Sequence, residues 1–440
     1  MHKRTFSRLL AAVLSGTLSL TAYAEDLLDV FQLAIEQDPG LRQAQFEQSA
    51  TVELHRQSRA GLLPQANLGA STGRTEQKIG SISRSYDENG WRLSLSQPVY
   101  RYQNFQQYKQ TAATVEQKAA ELDAARQALM ITVAERYFNV LGARDNLEFA
   151  ESEKEATGRQ LEQTKQRFEV GLIAITDVHE AQAAYDLTVA NEINARNLLA
   201  SAREALREVT TRFHDHLAPL ADTIPLVPPD PADIDGWVEK ALVHNAEIRA
   251  ARLAAEAAFR AIRVAKGAHY PTLDLVANRT YTDNAGGRLA NLEFTNTTIG
   301  LEINLNLYAG GGLQAQVQEA HLRWQQAKEN LEAVRRAVQR QARDAYLSVT
   351  ASISQVHALT QALVSNRSAL AATEAGLEVG TRTTVDVLNV RRELFRAKRD
   401  YARARYDYVL NRLRLEQAAG TLGRDTLEEI NHWLATQPTS

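Results

Sequence analysis

The chain of 440 residues is neither strongly basic nor strongly acidic, since 50 Lys and Arg residues oppose 53 Asp and Glu residues and give a formal net charge of −3. This balance gives no support for nucleic acid as a partner. Because the sequence contains no cysteine, disulfide bonds, thiolate metal sites and a lipidated N-terminal cysteine are excluded.

The first residues carry a signal for export. Basic residues precede an apolar run from Leu9 to Leu20, and Ala22-Tyr23-Ala24 then offers a small-residue cleavage site. This pattern predicts a secretory signal peptide over residues 1–24. A transmembrane anchor is the alternative, but the apolar run is too short to span a bilayer comfortably.

Each half of the remaining chain is predicted to begin with a helix of moderate length, Leu27–Arg59 in the first half and Ile234–Lys266 in the second. A glycine and a proline follow each helix, and proline prevents its continuation. Beyond the proline, apolar and polar residues alternate, which indicates strand hairpins over 64–100 and 271–308. The clearest alternation places five apolar residues on one face: Ile299, Leu301, Ile303, Leu305 and Leu307.

These alternating runs are about ten residues long, the length of a tilted strand that crosses an outer membrane. Aromatic residues cluster at their ends, as in interfacial girdles. The alternative is a pair of soluble hairpins packed on another surface. Four strands cannot close a barrel in lipid, because open edges are not tolerated there and the smallest membrane barrels have eight strands. If the strands span a membrane, several protomers must share one barrel.

A very long helix is predicted after each strand hairpin, at Tyr102–Val170 and at Leu313–Val379. Proline is absent from both stretches, and apolar residues recur with a heptad spacing. At 1.5 Å per residue, each helix would be about 100 Å long. Returning helices are predicted roughly over Asp177–Phe213 and Asp386–Gly420, so that each half contains a tall helical hairpin.

The tips of these two hairpins carry the same ten-residue pattern, 209 positions apart. Glu-Val-Gly, five residues and Asp-Val begin at Glu169 and again at Glu378, which places the tips at 169–177 and 378–386. The glycines are predicted helix stops and the aspartates predicted N-caps. Since the same order of parts surrounds both copies, the chain is predicted to be a tandem duplication.

The predicted repeats cover residues 25–213 and 234–420. A proline-rich joint at 214–233 separates them, and a tail follows at 421–440. Joint and tail are expected to pack around the tall hairpins in an equatorial position.

The sequence resembles the TolC-like family of outer-membrane efflux ducts over essentially its whole mature length. Both tip sequences carry the resemblance, together with the stretches that begin at Asn191, Tyr406 and Ala419. It implies a mostly helical protein in which a helical barrel continues a twelve-stranded outer-membrane β-barrel, built by a homotrimer with four strands from each protomer. The strand arithmetic alone also permits a dimer of eight strands.

The resemblance further implies a channel that conducts drugs or secreted proteins passively. The partners would be a periplasmic adaptor, an inner-membrane pump of the RND or ABC type, and outer-membrane lipid. The alternative is a non-conducting periplasmic coiled-coil adaptor, which also has an export signal and long hairpins. No cofactor, metal site or enzymatic activity is expected, because no nucleophile–base set is discernible.

Carried over position by position, the resemblance implies a polar gate network at the tips. Asp177 would pair with Arg382, with Thr176 beside them, and Gln160 would pair with Glu374. Leu377 stands where an aromatic partner of Asp177 is expected, so that hydrogen bond would be missing. From the residues alone, helix caps and solvated helix surface remain the alternatives.

A cation-binding entrance ring is implied at Asp386 and Asn389, where Asn389 replaces an expected acid. Threefold symmetry would then give three carboxylates instead of six, and hence weaker binding of blocking cations. The implied adaptor-docking patch consists of two exposed triplets, which are equally consistent with plain helix stops: Val170, Gly171, Leu172, Val379, Gly380 and Thr381.

Overall fold

The computed structural model describes residues 24–284 and 292–435. Over these ranges the chain forms nine helices and four strands. The predicted signal peptide lies outside the described residues except for Ala24, and it stays a prediction. Within the same ranges, no helix combines the length and the apolar composition that a membrane crossing requires.

The first predicted helix, Leu27–Arg59, is interrupted, and its prediction as one element was wrong. It consists of α1 (Leu27–Gln37) and α2 (Pro39–Ala60), joined at Asp38, whose backbone is extended. The side chain of Asp38 accepts a hydrogen bond from the first turn of α2 at 2.6 Å. A capping aspartate followed by proline starts a new helix, because proline is well tolerated at the first helical position.

The second half repeats this interruption at Asn245, so the prediction of one helix over Ile234–Lys266 was also wrong. Here α5 (Ile234–His244) gives way to α6 (Ala246–Gly267). The Asn245 side chain accepts hydrogen bonds from the N–H groups that open α6 and donates one to the carbonyl of Ala418 at 3.1 Å. The break therefore also fixes α6 against the end of the second helical hairpin.

One antiparallel sheet unites the strand hairpins of both halves, in the order β1-β2-β3-β4. The strands have 15, 19, 13 and 13 residues, so the expected length of about ten was too short. The segment predicted as a polar loop belongs to β1 and β2, which meet at a two-residue turn formed by Gly80 and Ser81. Polar side chains bond from one strand to the other there, for example Thr72 with Asn89. The strands are Gln65–Ile79, Ile82–Tyr100, Thr272–Asn284 and Leu292–Asn304.

The register places most apolar residues of the four strands on one face of the sheet, while Val276 and Phe294 lie on the other. Leu68 pairs with Leu93, and Leu275 pairs with Leu301. The alternation predicted from the sequence is thus confirmed, except that Leu305 and Leu307 follow the end of β4. The apolar face is solvent-exposed in the protomer, most clearly at Leu68, Ile299, Leu301 and Ile303.

Two helical hairpins form the longest part of the fold, and their predicted bounds are correct to within about three residues. The first pairs α3 (Tyr102–Glu169) with α4 (Ile175–Thr210), and the second pairs α7 (Gly312–Glu378) with α8 (Thr384–Ala419). With 68 and 67 residues, α3 and α7 are each about 100 Å long.

The main hydrophobic core lies midway along the long helices. Tyr137 of α3 and Tyr408 of α8 are fully buried there. The Tyr137 hydroxyl donates to the carbonyl of Ala218 at 2.8 Å, and the Tyr408 hydroxyl accepts from the N–H of Val227 at 2.8 Å. A short helix that the sequence analysis missed, α9 (Arg424–Asn431), packs into the same core. The proline-rich joint and the tail are thereby fixed to the middle of the hairpins.

Candidate gate at the helical tips

The long helices α3 and α7 end in the same way, at glycines with left-handed backbone. Gly171 has φ +75° and Gly380 has φ +80°. The N–H of Gly171 donates to the carbonyl of Phe168 at 2.8 Å, and the next N–H donates to the carbonyl of Arg167 at 2.9 Å. The second tip repeats both bonds, so each helix ends in a Schellman motif, and the predicted glycine stops are confirmed.

The returning helix of the second tip begins with a capping box. Thr383 is the N-cap, and its hydroxyl accepts from the N–H of Asp386 at 3.2 Å. In return, Oδ2 of Asp386 accepts from the N–H of Thr383 at 2.9 Å and from its hydroxyl at 2.9 Å. These bonds, first to the backbone and then to the hydroxyl, hold the pKa of Asp386 below its usual range, helped by the nearby charge of Arg382.

The first tip lacks such a cap. Its N-cap is Ala174, which has no side-chain acceptor, and Asp177 lies in the first turn of α4. Asp177 and Asp386 are therefore third-position residues of their helices, and the prediction that they are N-caps was wrong. The two tips share a helix stop but differ in how firmly the returning helix begins.

The predicted pair of Asp177 and Arg382 is not formed inside the protomer, since neither has an ion-pair partner among the described residues. The stem of Arg382 lies across the last turn of α7, where a Cβ added to Gly376 would stand 2.7 Å from its Cγ. Glycine at this position therefore permits the close approach of the Arg382 side chain to α7. A contact of Asp177 with Arg382 stays a prediction for adjoining protomers.

The second predicted pair, Gln160 with Glu374, is also not formed within the protomer. Gln160 is buried on α3, and its side chain makes no hydrogen bond within the described part of the chain. Thr176 is exposed. The carboxylate of Glu374 instead accepts from Nη2 of Arg391 at 2.7 Å. Pairing of Gln160 with Glu374 likewise stays a prediction for contacts between protomers.

Arg391 joins the second hairpin to the first and was missed by the sequence analysis. Besides Glu374 of α7, its guanidinium bonds the carbonyl of Ala156 on α3 at 3.0 Å, and its side chain is only 14% exposed. A signal for it exists in the sequence. Glu374 and Arg391 lie almost equally far from the centre of the second tip, so antiparallel helices bring them face to face.

Further ion pairs brace the hairpins behind the tips. Arg399 of α8 reaches Glu153 of α3 at 3.1 Å, which is a second link between the two hairpins. Within the first hairpin, Glu192 of α4 accepts from Lys154 of α3 at 2.6 Å and from Arg196 at 2.6 Å. The hydrogen bond from Lys154 is the main reason that the pKa of Glu192 is lowered.

The six residues predicted to dock an adaptor are exposed at the two tips. Val170, Leu172 and Val379 present 70%, 72% and 75% of their surface, although they are apolar. At the predicted entrance ring, Asp386 is half-buried and Asn389, one turn further along α8, is exposed. The tips therefore combine apolar side chains that face solvent with a single carboxylate position per protomer in the predicted ring.

At the opposite end, an ion pair joins the first repeat to the sheet where strand becomes helix. Arg101, just before α3, contacts Asp274 of β3 through two hydrogen bonds, Nε to Oδ1 at 2.8 Å and Nη2 to Oδ2 at 2.7 Å. Asp274 is buried, so the bidentate contact fixes the direction in which α3 leaves the sheet.

Tall helical hairpins that end in glycine-stopped tips and carry one sheet with an exposed apolar face define a class, the outer-membrane export ducts. Comparison with known proteins supports this class. A family described as outer membrane efflux protein matches residues 30–212 and 237–421. The chain belongs to this family.

Individual relatives match over nearly the full chain. The sequence is 39% identical over 423 residues to outer membrane protein TolC of Vibrio cholerae, covering 94% of this chain and 95% of that protein. It is 36% identical to TolC of Escherichia coli, covering 98% and 90%. It is also 28% identical to the alkaline protease secretion protein AprF of Pseudomonas aeruginosa, covering 93% of this chain and 87% of that protein.

Solved structures share the fold at lower identity. The CmeC outer membrane channel of Campylobacter jejuni aligns with a TM-score of 0.79 at 17% identity, covering 93% of this chain and 90% of that one. VceC of Vibrio cholerae aligns with a TM-score of 0.77 at 21% identity, covering 90% and 96%. Family and relatives together place the protein in the cell outer membrane.

Proposed function

We propose that the protein is the outer-membrane exit duct of a tripartite export system and that it works as a homotrimer. The sheet carries this proposal. In one protomer β1 and β4 are free edges of the described sheet, and the apolar face is exposed. Because lipid does not tolerate unpaired strand edges, neighbouring copies must supply the missing pairs. Three copies close a barrel of twelve strands, the number that the family resemblance implies.

The helical hairpins continue the barrel into the periplasm and end at the gate. Transport through such a duct is passive, and an inner-membrane pump of the RND or ABC type supplies the energy. The similarity to TolC and to AprF supports both efflux and protein secretion as routes. Which of the two routes the duct serves depends on its pump.

The gate opens when the tips separate. Inside each protomer the second hairpin is bound to α3 by Arg391 and by the pair of Arg399 with Glu153. Between protomers, Asp177 with Arg382 and Gln160 with Glu374 complete the network. Isolated, partly exposed ion pairs contribute at most about 1 kcal/mol each. Because each contact in this network is weak, we expect the binding of a partner at the tips to open it.

The periplasmic adaptor is the partner that binds there. The exposed apolar side chains of Val170, Leu172 and Val379 form its docking patch, with Gly171, Gly380 and Thr381 leaving the backbone accessible. Such side chains in water favour burial against another protein. Replacing Val170 and Val379 by aspartate is expected to abolish export in cells while leaving the conductance of the purified duct unchanged.

The entrance ring consists of three Asp386 carboxylates, one from each protomer, with Asn389 in the second position. Fewer carboxylates bind divalent cations more weakly. In planar bilayers, cation block is expected to be weak and to disappear in Asp386→Asn. Restoring an acid by Asn389→Asp is expected to strengthen the block. A block that Asp386→Asn leaves unchanged removes Asp386 from this role.

Purification in detergent followed by native mass measurement and planar-bilayer recording tests the central proposal. A trimer that forms ion-conducting pores is expected. A monomer that stays folded and dissolved without detergent, and that forms no pores, refutes it. The alternative of a non-conducting adaptor has no support among the matched relatives, which are outer-membrane proteins and secretion proteins.

A further inference from the structure

A cleft lies between α4 and α8, above α3 and a few turns behind the tips. We name it the arginine cleft, because α8 contributes four arginines to its wall: Arg391, Arg392, Arg396 and Arg399. The opposite walls include Glu153 of α3 and Asn191 of α4. The open space measures about 120 Å³, well below the roughly 300–1,000 Å³ of sites for drug-sized ligands.

Two of the four arginines already have partners. Arg391 bonds Glu374 at 2.7 Å, and Arg399 bonds Glu153 at 3.1 Å. These two guanidinium groups therefore belong to the structural bracing of the hairpins. Among the residues that line the cleft, Glu153 carries the carboxylate, and it is paired with Arg399.

The other two arginines have unused donors. Arg396 approaches Glu393 only at 3.5 Å, and both side chains are exposed. Arg392 forms no ion pair with any residue in 24–284 or 292–435. The amide of Asn191, across the cleft, likewise makes no hydrogen bond within those ranges. Positively charged and amide N–H donors from two helices therefore line one small space.

Oxyanions suit this arrangement. A guanidinium group offers a planar fork of N–H donors that matches phosphate and carboxylate oxygens, and charge-assisted bonds of this kind are about twice as strong as neutral ones. Three donor groups set around a small volume favour a tetrahedral anion, which presents oxygen atoms in several directions. Larger anions such as nucleotides exceed the space.

We propose that the arginine cleft binds one tetrahedral oxyanion, either inorganic phosphate or a phosphoryl group of the same size. Arg392 and Arg396 of α8 bind it from one side and Asn191 of α4 from the other. Because the anion contacts both helical hairpins, it cross-links them and stabilises the closed tips. This last consequence rests on the proposed role of the tips as a gate, but the binding itself does not.

Calorimetric titration of the full-length protein in detergent tests the binding. Inorganic phosphate is titrated at constant ionic strength with chloride as the reference, and glycerol phosphate is the second probe. Saturable binding of phosphate alone assigns the site to the free ion, and equal binding of both assigns it to phosphoryl groups generally. Replacement of both arginines, Arg392→Gln with Arg396→Gln, is expected to weaken binding at least about tenfold.

The matched control is the double variant Arg323→Gln with Arg336→Gln. It removes two exposed arginines from α7, each bonded to a glutamate one turn away, and it is expected to leave phosphate affinity unchanged. Circular dichroism verifies that both double variants remain folded. Absent or non-saturable phosphate binding, or equal weakening in both double variants, overturns the proposal.

Bilayer recordings keep this proposal separate from the channel function. Phosphate at constant ionic strength is expected to lower the open probability of the wild type but not that of the cleft variant. A protein that conducts but binds no phosphate refutes the cleft and leaves the duct intact. Conversely, a protein that binds phosphate and never conducts refutes the duct and leaves the cleft intact.

Discussion

Arg391→Gln is the substitution that best tests whether contacts inside a protomer keep the tips closed. The guanidinium of Arg391 bonds Glu374 at 2.7 Å and the carbonyl of Ala156 at 3.0 Å. Glutamine is too short to reach both partners. The second helical hairpin therefore loses its link to α3 nearest the tip, while the link between Arg399 and Glu153 remains.

The expected magnitude follows from the exposure of the two contacts. Glu374 has 44% of its side chain exposed, so the ion pair contributes about 1 kcal/mol at most. This ion pair joins α7 to α8 within the second hairpin, so its loss loosens that hairpin without separating it from α3. The hydrogen bond to the Ala156 carbonyl is the contact of Arg391 that joins the two hairpins. Its loss, about 1 kcal/mol, shifts the closed-to-open equilibrium of one tip roughly fivefold. If three tips open together, the effects reinforce one another.

Planar-bilayer recording of the purified variant is the assay, with open probability as the measured quantity. We expect a marked increase for Arg391→Gln and an intermediate one for Arg391→Lys, which keeps the charge but loses the fork. Arg336→Gln is the control, because its partner Glu332 lies on the same exposed helix face and joins no second element. A folded Arg391→Gln variant with the open probability of wild type would contradict this role of Arg391.

Three further predictions concern the tips and the sheet. Thr383→Ala removes the cap of α8 and is expected to destabilise the second tip by about 1 kcal/mol, whereas Ala174→Thr, by supplying the missing cap, is expected to slow hydrogen exchange at the first tip. The pKa of Asp386 is lowered in the folded tip. The carboxylate therefore stabilises the tip at a pH above the unfolded pKa near 3.8, and this stabilisation is lost as the pH falls through the lower folded pKa. Hydrogen exchange measured from pH 6 to pH 3 should show this loss, and Asp386→Asn should abolish it. Leu301→Arg places a charge on the apolar face and is expected to cost about 2–4 kcal/mol in the membrane, which would reduce the heat-stable oligomer on gels, while Thr298→Arg on the opposite face should not; equal effects of both would contradict the assigned faces.

The sequence was sufficient for the large elements of this fold because each has a strong periodic signal. Long proline-free heptad stretches predicted α3 and α7, and alternation predicted which face of the sheet is apolar. Paired copies of Glu-Val-Gly and Asp-Val located both tips. All of these signals are local or repeat at a fixed distance, so a single sequence reveals them.

Finer features depended on competing local chemistry. Asp38 and Asn245 interrupt the predicted first helix of each half, because their side chains cap a new helix and the periodic pattern continues across the break. Polar hydrogen bonds between β1 and β2 extend both strands into the segment that was predicted to be a loop. The N-cap of α8 was predicted at Asp386 but is Thr383. Asp386 is the third residue of the helix, and its carboxylate accepts a hydrogen bond from Thr383.

The candidate site was predictable by position but not by partner. Glu374 lies near the tip as expected, yet it contacts Arg391, whose role depends on three helices meeting at one point. The spacing around the second tip indicates the pairing of Glu374 with Arg391, but no local spacing encodes the contact of Arg391 with α3. The place of Arg392 and Arg396 in the arginine cleft was missed for the same reason, since tertiary packing brings α8 and α4 together there.

Pairing between β2 and β3 has a consequence for how the protein is made. Glu88 faces Asn284 and Tyr100 faces Leu273, so this central ladder joins segments whose synthesis is separated by a whole helical hairpin. Contacts between such distant segments form slowly, because a long loop must close first. We therefore expect the hairpin of α3 and α4 to be folded before the second strand pair has left the translocation machinery. We expect insertion into the outer membrane to follow completion of the four-stranded sheet.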